Sequence, residues 1–147
     1  MTIRRRTETA TLDVVGLVEQ AGRWALEDLT RLPGRIADLG REVAGFVGEG
    51  VPLRSILAAS RPLPAADHGT VESDDGHYRA SIPLADLEEG GWLIFGLDGE
   101  SLPRDRGGPL RVVVAEGRTL CWNVKGVAAL RLTQGREPDS VPERPGH

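Results

Sequence analysis

Thr70-Val71-Glu72-Ser73-Asp74-Asp75-Gly76-His77-Tyr78-Arg79-Ala80-Ser81-Ile82 reads as two short strands, 70–73 and 78–82, folded about an Asp-Gly turn. β-Branched and aromatic residues suit the pleated, half-buried surface of a strand. Aspartate followed by glycine supplies the positive φ angles that tight hairpin turns require. Downstream, residues 83–87 give one helical turn, which Gly90-Gly91 stops. Trp92-Leu93-Ile94-Phe95-Gly96-Leu97 is then a continuous apolar run, the pattern of a strand buried on both faces. Asp98-Gly99 turns it. Residues 110–114 form another β-branched strand, turned at Glu116-Gly117, and 128–133 alternate as a last strand.

Upstream of the hairpin the pattern is mixed. Residues 11–18 are β-branched and read as a strand. Ala25, Leu26, Leu29 and Leu32 have helical spacing within 24–32, and Pro33-Gly34 ends that helix. Residues 35–46 alternate imperfectly and are assigned to a strand. Gly48-Glu49-Gly50 is a loop; it begins like a dinucleotide fingerprint but runs on as Val51-Pro52-Leu53, without the third glycine. Pro52 suits a first helical position, and Leu53, Ile56 and Leu57 give an amphipathic stripe ending near Ser60. Pro62 and Pro64 prevent its continuation. Many short strands, few short helices and no regular βαβ alternation predict an α+β fold of mixed sheets. The expected organisation is a loose N-terminus over 1–10, one domain over 11–133, and a polar, Pro-rich, disordered tail over 134–147.

The bulk properties narrow the function classes. A chain of 147 residues suits one domain. A net charge of -4 offers no basic excess for phosphate backbones, so nucleic acid is not an expected partner. No window is apolar enough to cross a bilayer, so no membrane is expected either. Arg4-Arg5-Arg6 is followed by Thr7-Glu8-Thr9 instead of an apolar run, which points to the cytoplasm. The single cysteine, Cys121, can make neither an internal disulfide nor a cysteine cluster for a metal, and its apolar context suits a core thiol. Trp24 and Trp92 are read as core residues.

Asp67, His68, Glu72, Asp74, Asp75 and His77 crowd one segment, but alternation along strands turns such side chains apart. A solvated acidic hairpin, with no metal, is the reading. No Gly-x-Ser-x-Gly elbow is present. Pro103-Arg104-Asp105-Arg106-Gly107-Gly108-Pro109-Leu110-Arg111 joins a Gly-rich loop to three arginines before a buried strand. Backbone amides and guanidinium forks of such a loop suit an anion; an exposed charged loop is the plain alternative.

An ordered series of motifs carries a resemblance. Gly50-Val51-Pro52-Leu53-Arg54-Ser55-Ile56-Leu57 looks like a "G-V-P-L-x-D-L-L" helix. The segment from Ser73 to Leu84 resembles an "S-x-D-G-Y-x-x-S-I-P-L" hairpin. Leu97-Asp98-Gly99-Glu100-Ser101-Leu102-Pro103 resembles "M-N-G-x-P-L-P", and Gly107, Pro109 and Arg111 fall in place on "H-G-x-P-x-R". Asn123-Val124-Lys125 resembles "S-V-K". Together these are similar to the molybdenum-cofactor domain of the sulfite oxidase family, over about residues 11–133. The resemblance implies a mixed α+β fold around a pterin pocket, with Arg106, Arg111, Asn123 and Lys125 at cofactor-binding positions. Arg111 and Lys125 would hold the pterin phosphate, the guanidinium as a fork and the ammonium as a mobile charge. Lys125 is the only lysine among 18 basic residues.

The same resemblance marks departures. The family's metal-binding cysteine lies in a segment like "R-C-V-x-G-W", and Arg41-Glu42-Val43-Ala44-Gly45-Phe46 matches it with Glu42 at the cysteine. A carboxylate is a harder donor than a thiolate. Cys121, four positions before Lys125, is a candidate substitute ligand. Arg106 replaces the motif histidine, and Gly126 stands where a tryptophan follows the lysine. The usual N-terminal cofactor-binding segment and the appended dimerisation and haem domains are not matched. The expected function is a molybdopterin-binding, oxidoreductase-like domain with degenerate catalysis. The alternative is a non-catalytic anion-binding or protein-interaction module on the same fold, its ligand a small anion or pterin, or no cofactor at all.

Overall fold

Strand β1, Thr11–Gly16, lies one strand in from the edge of the larger of two sheets. It pairs antiparallel with β2, Gly22–Ala25, and parallel with the last strand, β9, Val127–Thr133. β9 pairs in turn with β4, His68–Ser73, and β4 with β5, Arg79–Pro83. The sheet order is β2-β1-β9-β4-β5. The smaller sheet is built on β6, Gly91–Leu97, flanked by β3, Glu49–Pro52, and by β8, Arg111–Val114; the two-residue β7, Glu100–Ser101, folds back on its end. This computed structural model describes residues 10–141. The loose start expected over 1–10 lies, apart from the buried Ala10, outside the described residues, as do 142–147 of the tail.

The period-2 alternation of the strands explains where the core sits. Leu93, Phe95, Val112 and Val114 point to one face of the small sheet and join Leu12, Val14, Val71, Ile82, Leu130 and Leu132 of the large sheet in the main core. Helices α2, Leu53–Ser60, and α3, Leu84–Gly90, fill that space with Leu53, Ile56, Leu57 and Leu87. Helix α1, Leu26–Thr30, adds Leu29. The opposite face of the small sheet, Ile94 and Val113, is covered by a second cluster with Leu39, Leu102 and the ring of Phe46. The α+β class and the mixed sheets follow the sequence reading.

Three local expectations differ. Residues 35–46 form no strand: Ile36 alone pairs, with Gly50, and a 3-10 turn, Leu39–Arg41, follows. The Asp38 carboxylate accepts from the backbone N–H of Gly40 (3.1 Å) and Gly48 (3.3 Å), an alternative to ladder pairing that short acidic side chains favour. The helix expected over 24–32 begins only at Leu26, because Trp24 and Ala25 pair with β1. Gly48-Glu49-Gly50, expected as a loop, leads straight into β3.

The tail expected to be disordered over 134–147 departs from that expectation as far as it is described. Ser140 donates its N–H to the Arg79 carbonyl, the Asp139 carboxylate accepts from the Ser81 N–H (2.6 Å), and Glu137 accepts from the Thr70 hydroxyl (3.0 Å). Val141 is buried in the main core. Polar composition misled here because these polar groups satisfy the open edge of β5.

Candidate anion-binding site

The arginine-rich loop and the lysine meet where the two sheets join. β8 opens with Arg111, which forms an isolated antiparallel bridge with Lys125. Directly opposed residues of an antiparallel pair share a face, so both side chains project the same way. Between them stands Gly107, which closes the 3-10 turn Arg104–Arg106 at φ +93°. A Cβ there would meet Arg111 Cδ at 2.8 Å and Lys125 Cγ at 3.1 Å. Glycine therefore serves both the backbone conformation and the close passage of two basic stems. Gly126 donates its N–H to the Gly107 carbonyl (2.8 Å), and Val127 donates to Leu110 (2.8 Å).

Arg111 has the unusual environment. Alternation along β8 puts it on the face of Val113, away from the main core, and its Cζ lies 5.2 Å from the centroid of the Phe46 ring, a cation–π arrangement. Its Nε is buried without a hydrogen-bond partner. Burial lowers its pKa from the ordinary value, because the charged form is desolvated, although a guanidinium stays charged at neutral pH. Lys125 is exposed, and neither it nor Arg106 or Arg111 has an acidic partner within salt-bridge distance among the described residues. An orphaned buried donor beside an unneutralised ammonium is an arrangement that wants an anion.

Neighbouring contacts hold the loop in place. Arg104 makes a 2.7 Å salt bridge with Asp74, on the turn of the β4–β5 hairpin, and the Asp74 N–H donates to the Gly126 carbonyl (2.6 Å). Gly126 adopts φ +60°, and a Cβ there would meet Arg104 Nη1 at 3.3 Å and Asp74 Oδ1 at 3.4 Å. That geometry gives a physical reason for glycine at the position where the motif has tryptophan.

The other expected site residues are placed differently. Arg106 is exposed and lines a groove of about 620 Å³ with Asp38, Val47, Glu49, Leu97 and Asp98. Arg111, Phe46 and Lys125 do not line this groove. Asn123 has a structural role, since its Oδ1 accepts from the Val114 N–H (2.8 Å) and so stands in for a backbone carbonyl at the end of β8. Glu42 is exposed on a different groove, of about 450 Å³, with Arg54, Glu89, Trp92 and Glu116; Arg106, Arg111 and Lys125 do not line it. Cys121 packs against the main core from the 3-10 turn Leu120–Trp122, across β8 from Phe46. Its carbonyl accepts from the Tyr78 hydroxyl (2.6 Å). Burial, and then the adjacent Cys121, push Tyr78 up to about 12.

In the acidic hairpin, Asp67 pairs with His68 Nδ1 (2.9 Å), and Asp75 accepts from Ser73 and from the His77 N–H. Among the described residues no three His, Cys, Asp or Glu side chains converge as a metal site. Sequence reasoning missed Phe46. Its only signal was an aromatic residue at the end of a segment read for Glu42.

Residues 41–141 match the family model described as oxidoreductase molybdopterin binding domain. No curated protein matches the chain. Among solved structures, the chain is similar to the sulfane dehydrogenase SoxCD from Paracoccus pantotrophus, with 24% sequence identity and a TM-score of 0.71, over 92% of this chain and 40% of that one. The chain thus spans about two fifths of the length of that structure's chain, and the likeness is one of fold. No helix among the described residues is long and apolar enough to cross a membrane.

Proposed function

Because the chain belongs to the oxidoreductase molybdopterin binding domain family, we propose that it holds a phosphate-bearing pterin, or a free phosphate, on Arg111 and Lys125 without carrying out molybdenum redox chemistry. The observation that carries this reading is the buried Arg111 Nε with no partner, on the same face as Lys125. Leaving such a donor unmade costs about 1–3 kcal/mol. That Nε is itself closed off from solvent, so an anion would bond the terminal nitrogens of the guanidinium, or displace the groups that cover Nε. The cofactor's phosphate end therefore fits the residues present.

The metal end does not fit. Glu42, which the motif resemblance sets at the family's thiolate, opens onto the other groove, and Cys121 packs on the main-core side of β8. A soft, dithiolene-held metal would meet a hard carboxylate or no protein donor.

The test has two arms. Protein expressed with cofactor supply is oxidised and assayed for pterin fluorescence and for molybdenum, and protein freed of small molecules is titrated with inorganic phosphate. Expected are phosphate binding that Arg111→Ala weakens at least tenfold, the worth of about 1.4 kcal/mol, and molybdenum at background. Pterin fluorescence identifies the pterin as the source of the phosphate, and its absence with phosphate binding identifies the free ion. Stoichiometric molybdenum would overturn the degenerate reading, and absence of both pterin and phosphate binding would overturn the anion site.

A further inference from the structure

We infer that Phe46 is a positioning residue, holding the guanidinium of Arg111 through its π face so that its in-plane N–H donors stay free for a phosphate. The inference rests on the phosphate site proposed above. Arg111 is gripped in two places. Its stem passes over the gap left by Gly107, with Cδ 2.8 Å and Cγ 3.3 Å from where a Cβ would stand. Its head lies over the Phe46 ring, 5.2 Å from the centroid.

The manner of the grip matters. A carboxylate would fix the head more firmly, but it would consume the same N–H donors that a phosphate needs. A ring face holds the cation through its quadrupole and accepts nothing in the plane of the ion. Nε is enclosed and unpartnered, so the donors this arrangement leaves for a phosphate are the terminal N–H groups of the guanidinium. Phe46 is itself half-buried in the cluster of Leu39, Ile94 and Val113, so the ring is a fixed surface. Segment 41–46 thus contributes to the site through its last residue, while its second, Glu42, opens elsewhere. An unheld arginine must surrender rotamer freedom on binding. Ordering it beforehand removes part of that cost.

The experiment compares Phe46→Leu, which keeps apolar bulk without a π face, with Phe46→Trp, which keeps the face. Inorganic phosphate is the probe. Phe46→Leu is expected to weaken binding about tenfold and Phe46→Trp less than twofold, with the salt dependence unchanged because no charge is removed. In ¹⁵N spectra, the Arg111 Nε–H signal, assigned by its loss in Arg111→Lys, is expected to be ring-shifted and slow to exchange in the wild type and in Phe46→Trp. Both properties should vanish in Phe46→Leu.

Equal phosphate affinity in Phe46→Leu and wild type, or equal loss in both variants, overturns the inference. If the wild type binds no phosphate, the functional reading fails by itself. The positioning role is then decided by the Nε–H signal: dependence on the ring upholds it and indifference overturns it. Should Phe46→Leu unfold, Phe46→Met takes its place.

Discussion

If Arg111 holds the proposed anion, stability and binding conflict in that one side chain. Its desolvated cation and unmade Nε hydrogen bond weaken the fold, and the Phe46 ring offsets them in part. Arg111→Met, of similar length and able to lie on the same ring, is expected to raise stability by about 1 kcal/mol. Urea unfolding would show this as a higher midpoint with unchanged slope, alongside lost phosphate binding. An unchanged or lower midpoint would count against the orphaned donor. Tyr78 gives a pH signature. Its folded pKa of about 12 stands above the ordinary 10.0. Its contribution is therefore complete below pH 10 and is lost as pH climbs towards 12. Denaturation midpoints followed over that window should fall more steeply for wild type than for Tyr78→Phe. At this scale the sequence singled out a guanidinium and an ammonium beside a Gly-rich loop, and the structure pairs Arg111 with Lys125 on one face. It did not announce the bond from Asn123 to the Val114 N–H, because an amide serves a ligand and a strand end equally well, and it hid Phe46, because an aromatic residue looks the same whether it packs on carbon or on a cation.

Among the elements, the β4–β5 hairpin reaches beyond its own sheet. Asp74 on its turn binds Arg104 through its side chain and Gly126 through its backbone, and so ties the arginine loop to the corner that presents Lys125. Asp74→Ala is expected to cost about 0.5–1 kcal/mol, as for a largely exposed ion pair, and to weaken phosphate binding severalfold although Asp74 is itself an acid. Removing a negative charge near an anion site would by electrostatics alone strengthen binding, so the sign of the change in titration separates the two accounts. Gly126→Ala should lose about 1–2 kcal/mol from the left-handed backbone, visible as a lower thermal midpoint. The hairpin was legible because Asp-Gly and β-branched runs agree on one geometry. Residues 35–46 were not: their partial alternation suggested a strand, yet Asp38 gathers the amides of Gly40 and Gly48, and backbone bonds from a side chain leave no periodic trace.

For the whole molecule, the large sheet has β5 as one edge, and residues 134–141 close it. Asp139 is the centre of that closure: its side chain is only 1% exposed, pairs with Arg136 at 2.9 Å, and accepts from the Ser81 N–H, while Val141 enters the main core. The α+β class was readable from strand patterning alone, whereas this edge closure was not, since a Pro-rich polar run carries no apolar stripe to announce where it packs. Asp139→Ala removes a buried acceptor from a backbone donor and from an arginine. Charge-assisted bonds of this kind are worth about 1.5–3 kcal/mol, and the loss should appear in the urea midpoint. An exposed β5 edge is also a template for pairing with another chain. Ending the chain after Thr133 should therefore add concentration-dependent association, measured by sedimentation or light scattering, to the loss of stability. The described hydrogen bonds of residues 134–141 do not reach Arg111 or Lys125, so phosphate binding at the proposed site should survive in whatever fraction stays monomeric. A truncated chain as stable and as monodisperse as the full one would show that the segment lies on the edge without holding it.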